Sequence, residues 1–229
     1  MTIQTRSKLT SQLKEIEDLL VRFRDKCSAD IRATGLAATG DKGAQEGLVR
    51  GRKAEDRLRN SIESSCLDVL LLQQPLIGDD MRFVTGSFRI VSDLSHIDGM
   101  TRDASFLAAE VPEKATSKFT DEFTEMAEAT AKMVEKAVNA FCNSDVNAAQ
   151  EVIQQDAEVN IIYGDVTDKL VQQIREGKSS ARYLPEVLMV AKYFERIGDL
   201  AKRIASWAIF RVNGEHVTEK GVDPIPTDD

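Results

Sequence analysis

Little in this chain could build a redox centre, a disulfide framework or a membrane span. Its 229 residues hold three cysteines, Cys27, Cys66 and Cys142, with no CxxC and no histidine at zinc spacing from any of them. An odd, scattered set of this kind reads as reduced, buried apolar thiols, and the expected compartment is the cytoplasm. Proline is scarce at five residues and aromatics make up 6%. Ala, Glu, Asp, Leu, Val and Lys dominate instead, a mixture that favours helix over strand. No run approaches the ~20 apolar residues of a membrane span. The opening MTIQTRSKLTSQLKE lacks the apolar centre of a signal peptide. Direct membrane insertion is therefore not expected. No basic run offsets the net charge of −8, so nucleic-acid phosphates would be repelled. A Gly-rich phosphate loop, a P-loop Lys-Ser/Thr and a Ser/His/Asp set are all missing, and so is a dedicated anion nest. The expectation is a non-enzyme.

What is present is helical periodicity. Along residues 184–211, Val187, Val190, Ala191, Phe194, Ile197, Ala201, Ile204 and Ala208 recur in steps of three and four. Pro185 suits a first turn, and Asn213-Gly214 reads as a stop. A narrow heptad-like seam, Leu9, Leu13, Ile16, Leu20, Phe23 and Cys27, predicts a first helix running to about Ala38. Asp41 is placed to cap a second helix over 42–73, which stops before Pro75. A third spans about 80–110. The polar link Pro112–Ser117 separates this half from another seam, Phe119, Phe123, Met126, Thr130, Met133, Ala137 and Phe141. Asn143-Ser144-Asp145 and Gly177-Lys178-Ser179-Ser180 bound a helix over about 146–176, and residues 213–229 read as a loose tail.

The two halves echo one another. Ala44-Gln45-Glu46 and Ala149-Gln150-Glu151 lie 105 positions apart, and Arg89–Ile97 lines up with Met189–Ile197, 100 apart. The fold expected is all-α: two tandem antiparallel three-helix bundles packed side by side. The first bundle covers 1–112, the second 113–212, and a polar tail 213–229.

Glu195 and Asp199 stand four apart on the last long helix, so their carboxylates share one face with ~5–6 Å between Cβ atoms. Like charges so placed oppose helix formation by a few tenths of a kcal/mol. A cation should stand against them: Arg196, Lys202, Arg203, a neighbouring helix or a metal ion. His96, His216, Asp93 and Asp103 read as solvated or hydrogen-bonded side chains, and the Met and Phe positions as core.

ERIGDLAKRIA (Glu195–Ala205), LLLQQPLIGDDMR (Leu70–Arg82) and MVEKAVNAFCNSDVNAAQEVIQQDAEVN (Met133–Asn160) resemble the PhoU family of phosphate-transport regulatory proteins. The resemblance covers about residues 8–212. It implies an accessory, mostly negative regulator of phosphate uptake and phosphate-starvation signalling. Its partners would be the ATPase subunit of a phosphate ABC transporter and a membrane sensor histidine kinase. A homodimer is a further expectation, since bundles with long exposed faces often dimerise. The resemblance also implies E/D-x-x-x-D metal motifs. In the second half these fall at Glu195, Asp199 and Asp156, with Asn160 in place of an acid. In the first half they fall at Arg52, Asp56, Ser95 and Gly99, where acid is mostly lost. An all-oxygen donor set suits Mg, Mn, Ca or ferric Fe better than tetrahedral Zn. Two alternatives stand beside this reading: an accessory of a different phosphate transporter, and a metal-storage bundle. The latter lacks the Glu-x-x-His pairs of di-iron proteins.

Overall fold

The computed structural model describes residues 3–177, 182–215, 217–218 and 221–222. Lys178–Ser180 and His216 therefore lie outside the described residues. The helices are α1 (Ile3–Ala38), α2 (Lys42–Leu72), α3 (Gly78–Glu110), α4 (Glu113–Thr116), α5 (Thr120–Asn143), α6 (Val146–Arg175) and α7 (Leu184–Asn213). The long helices form the expected two antiparallel three-helix bundles, α1–α3 and α5–α7.

Local chemistry sets the breaks. Asp41 and Asp145 each cap a helix, accepting a hydrogen bond from the N–H of Ala44 at 3.1 Å and Ala148 at 3.0 Å. Ser144 at φ 55° and Gly214 at φ 77° close α5 and α7 in the left-handed conformation. Three details differ from the sequence reading. α3 begins at Gly78 rather than about residue 80, with Asp79 in its first turn paired to Arg211. Four residues of the polar link wind into α4. Within the tail, β1 (Val217–Thr218) pairs antiparallel with β2 (Gly221–Val222).

Burial fixes the repeat more sharply than residue identity. Buried Leu48, Ile62 and Val69 on α2 correspond to Val152, Val166 and Gln173 on α6, 104 positions on. The same step relates Asp41 to Asp145. The 105-step echo of Ala-Gln-Glu is thus one residue out of structural register. The 100-step match of α3 with α7 holds throughout, from Ile90/Val190 to Ala108/Ala208. α1 matches α5 at 103, as in Phe23/Met126 and Ile31/Val134.

α1 lies against α5, and α3 against α7, so four helices share one apolar core and α2 and α6 flank it on opposite sides. Gly35 lets α1 approach α5, and Gly86 on α3 leaves room for a ring of α5. A Cβ on Gly35 would stand 2.6 Å from the Cβ of Ala127, and one on Gly86 would stand 2.7 Å from the Phe141 ring. Ion pairs rim the seam: Arg32 with Glu128 and Glu135, and Arg203 with the buried Asp93. Asp93 is therefore not the solvated residue its sequence context suggested. Arg211 reaches furthest. It pairs with Asp79 at 2.9 Å, donates to the carbonyls of Phe141 and Cys142 at 2.6 and 3.0 Å, and lies over the rings of Phe83 and Phe141.

Gly35→Ala should lower the urea unfolding midpoint. The alanine gains up to about 1 kcal/mol of helix propensity, but forcing two helices apart costs about 1–3 kcal/mol. Gly99→Ala, where nothing lies within 4 Å of the added carbon, should instead raise the midpoint.

Candidate functional site: two junctions between three helices

In the second bundle, α6 and α7 run antiparallel, which brings Asp156 opposite the turn 198–202. Asp156 is buried, and it accepts from Lys202 at 2.7 Å and from the side-chain amide of Asn160 at 3.0 Å. Lys202 also lies 3.0 Å from the exposed Asp199. Glu195 turns to a different cation: Lys192 stands 2.7 Å from it and also lies over the Tyr163 ring. Three of the four expected ligands, Asp156, Asn160 and Asp199, thus gather around Lys202, and Glu195 is held apart from them. Of the other cations considered from sequence, Arg203 is used across the seam by Asp93. The Lys202 amine is held protonated: burial works against its charge, but the hydrogen bonds to Asp156 and Asp199 outweigh that and raise its pKa.

The donor chemistry is that of a hard-cation site, yet the arrangement does not fit a metal. An ammonium already stands between Asp156 and Asp199.

The motif positions of the first bundle do not assemble a site either. Arg52 and Asp56 are both exposed, with no ion pair between them among the described residues. Ser95 bonds back to the Val91 carbonyl at 2.8 Å, and His96 is exposed.

Acid gathers instead at a place the sequence reading missed. Asp30 on α1, Glu55 on α2 and Asp98 on α3 are all buried, with a carboxylate oxygen of each within 4.8 Å of the others. Among the described residues this is the one such trio. Lys26 bonds Asp30 and lies 2.8 Å from Glu55; Arg102 bonds Glu55 at 2.6 Å and also Asp98. The repeat steps map the trio onto Met133, Val159 and Gly198. Those three do meet in the second bundle: a Cβ on Gly198 would stand 3.7 Å from Val159 and 3.9 Å from Met133. One junction is thus polar in the first bundle and mostly apolar in the second. Arg102 and Lys202, 100 positions apart, are cations common to both.

Three carboxylates face two cations, and burial shapes the result. It pushes Asp98 up to about 8 and Asp30 up to about 6. Glu55 feels the same burial, but its hydrogen bonds with Asp98, Lys26 and Asp30 win and lower it. A proton held on Asp98 at neutral pH balances the cluster.

The three cysteines are free thiols. Burial pushes Cys66 and Cys142 up to about 12, so neither offers a thiolate nucleophile. No helix among the described residues is long and apolar enough to cross a membrane.

Fold and junctions together define a duplicated helical-bundle protein whose clustered acids are answered by its own lysines and arginines. Residues 123–208 match the family model described as the PhoU domain. Over 214 residues the chain is 24% identical to the phosphate-specific transport system accessory protein PhoU homolog of Clostridium acetobutylicum, covering 93% of this chain and 98% of that one. It is 27% identical over 220 residues to the Aquifex aeolicus protein of the same description, covering 93% and 99%. The crystal structure of the phosphate transport system regulatory protein PhoU from Streptococcus pneumoniae superposes with a TM-score of 0.76 at 21% identity, over 92% of this chain and 99% of that one. PhoU from Pseudomonas aeruginosa gives 0.72 at 21%, over 93% and 100%. The chain is thus similar to PhoU proteins along nearly its whole length, and the family model matches within its second bundle.

Two outcomes are expected. Asp30 and Asp98 titrate above the ordinary value of 3.8, so the folded chain holds more protons than the unfolded one between about pH 4 and pH 8. Their contribution to stability therefore falls as pH rises through that window. Asp98→Asn should flatten the decline and raise the urea midpoint at pH 8 relative to wild type. For the second junction, Lys202→Ala should tighten Mn2+ binding in equilibrium dialysis on the order of tenfold, the equivalent of about 1.4 kcal/mol of relieved competition. Adding Asp156→Ala should reverse the gain.

Proposed function

We propose that this protein is a cytoplasmic, non-enzymatic accessory of a phosphate transport system, one that restrains phosphate uptake and phosphate-starvation signalling through protein–protein contact. The carrying observation is the end-to-end match, through both bundles, with relatives described as phosphate-specific transport system accessory proteins. On this reading the repeats 1–112 and 113–212 work as one body, bridging the transporter's ATPase subunit and a membrane sensor histidine kinase.

An apolar corner supports recognition of a protein surface. Leu72, Ile77 and Met81, at the turn joining α2 to α3, are 63%, 73% and 41% exposed. A turn that leaves three large apolar side chains in solvent offers surface for docking. Any metal dependence would be conditional on Lys202 leaving Asp156 and Asp199. Metal would then modulate docking rather than hold the fold together.

Immobilised protein should retain the transporter ATPase subunit from extracts of phosphate-replete cells. Leu72→Glu/Ile77→Glu should lower that retention several-fold with the unfolding midpoint unchanged. A column that stays empty at every phosphate level would defeat the proposal.

A further inference from the structure

The two outermost helices carry opposite charge. Over residues 42–59, α2 holds six bases, Lys42, Arg50, Arg52, Lys53, Arg57 and Arg59, against three acids, and one of those acids, Glu55, is buried inward. α6 holds five acids and two bases, with Asp156 the acid turned inward. In a chain of net charge −8, the face of α2 is a local reversal of sign.

The charges are ordered along ridges. On α2, Lys53, Arg57, Asn60 and Ser64 follow one another in steps of four, three and four, and all are exposed. On α6, Glu158, Ile161, Asp165 and Asp168 are likewise exposed, in steps of three, four and three. Such rows are straight stripes along a helix, the geometry that lets two helices pair along their length. Some charges on these faces are answered locally: Arg50 pairs with Glu46, Arg59 with Glu63 and Glu151 with Lys136. Lys53 and Arg57, and opposite them Glu158, Asp165 and Asp168, form no ion pair among the described residues. Ile161 stands in the middle of the acidic ridge, 66% exposed.

We propose that the basic ridge of α2 docks on the acidic ridge of α6 in a second copy of this chain. The helices lie antiparallel. A register that sets Lys53 opposite Asp165 also sets Arg50 opposite Asp168 and Asn60 opposite Glu158, and it places the aliphatic stem of Arg57 on Ile161. Within one molecule α2 packs on α1 and α3, and α6 on α5 and α7, so the two ridges belong to different neighbourhoods. The contact is therefore heterologous, and repetition builds open rows of molecules rather than a closed dimer. Complementary exposed charge favours encounter and orientation, and salt weakens it within a Debye length of about 10 Å at 0.1 M. This inference goes beyond the regulatory reading and does not rest on it.

Sedimentation velocity on the full chain, across protein concentration at low and high salt, tests it. Wild type should grow with concentration without reaching a dimer plateau, and high salt should return it to monomer. Lys53→Glu and Asp165→Lys, which stand opposite one another in this register, should each weaken self-association several-fold. An equimolar mixture of the two variants should restore it, which also shows both are folded. A chain that stays monomeric at low salt overturns the proposal. So does association that neither variant weakens, which would mean another face is used. Binding of a monomeric chain to phosphatidylglycerol vesicles through Lys53 and Arg57 would assign the basic ridge to lipid and overturn it equally.

Discussion

Everything in this molecule depends on one continuous apolar layer that the two repeats build jointly. A three-helix bundle alone has an inner core and a polar outside. Here α1 and α3 each use a second face against α5 and α7, so the core runs from one repeat into the other. Gly35 permits the approach of α1 to α5, where a side chain would collide with Ala127, and Gly86 on α3 makes room for the Phe141 ring of α5. Among the described residues, charges at the edge of the seam find partners across it, as Asp93 does in Arg203 and Arg211 does in Asp79.

Within this frame the repeats have diverged at equivalent places. The junction of the first bundle is lined by Asp30, Glu55 and Asp98; that of the second by Met133, Val159 and Gly198. Asp156, at the edge of the second junction, recovers some polarity and takes Lys202 as its counterion. The same fold thus tolerates a carboxylate cluster or an apolar plug at one depth, provided each buried charge has a partner.

Much of the fold was legible because its determinants are local and periodic. The seams, the Asp41 cap, the Asn143-Ser144-Asp145 break and the Gly214 stop all act within a turn or two of sequence. The buried trio was not legible. Asp30, Glu55 and Asp98 stand where the twin repeat carries apolar or small residues, and periodicity treats an acid there as an interruption. Only comparison at steps of 103, 104 and 100 would have exposed all three, and the Ala-Gln-Glu echo at 105 pointed to the wrong register for α2. The face shared by Glu195 and Asp199 was readable from their spacing. That separate lysines answer them was not, because Lys192 and Lys202 lie on either side of the pair and the choice between them is made by Asp156 on another helix.

The close approach at Gly35 and Gly86 has a mechanical consequence. Interdigitated helices with no slack between backbones cannot hinge about the short α4 connection without opening the common core. A push delivered to either flank is then carried to the other as tilt of a stiff slab, with little lost to bending in between. Such a body moves as a unit instead of folding up around its linker.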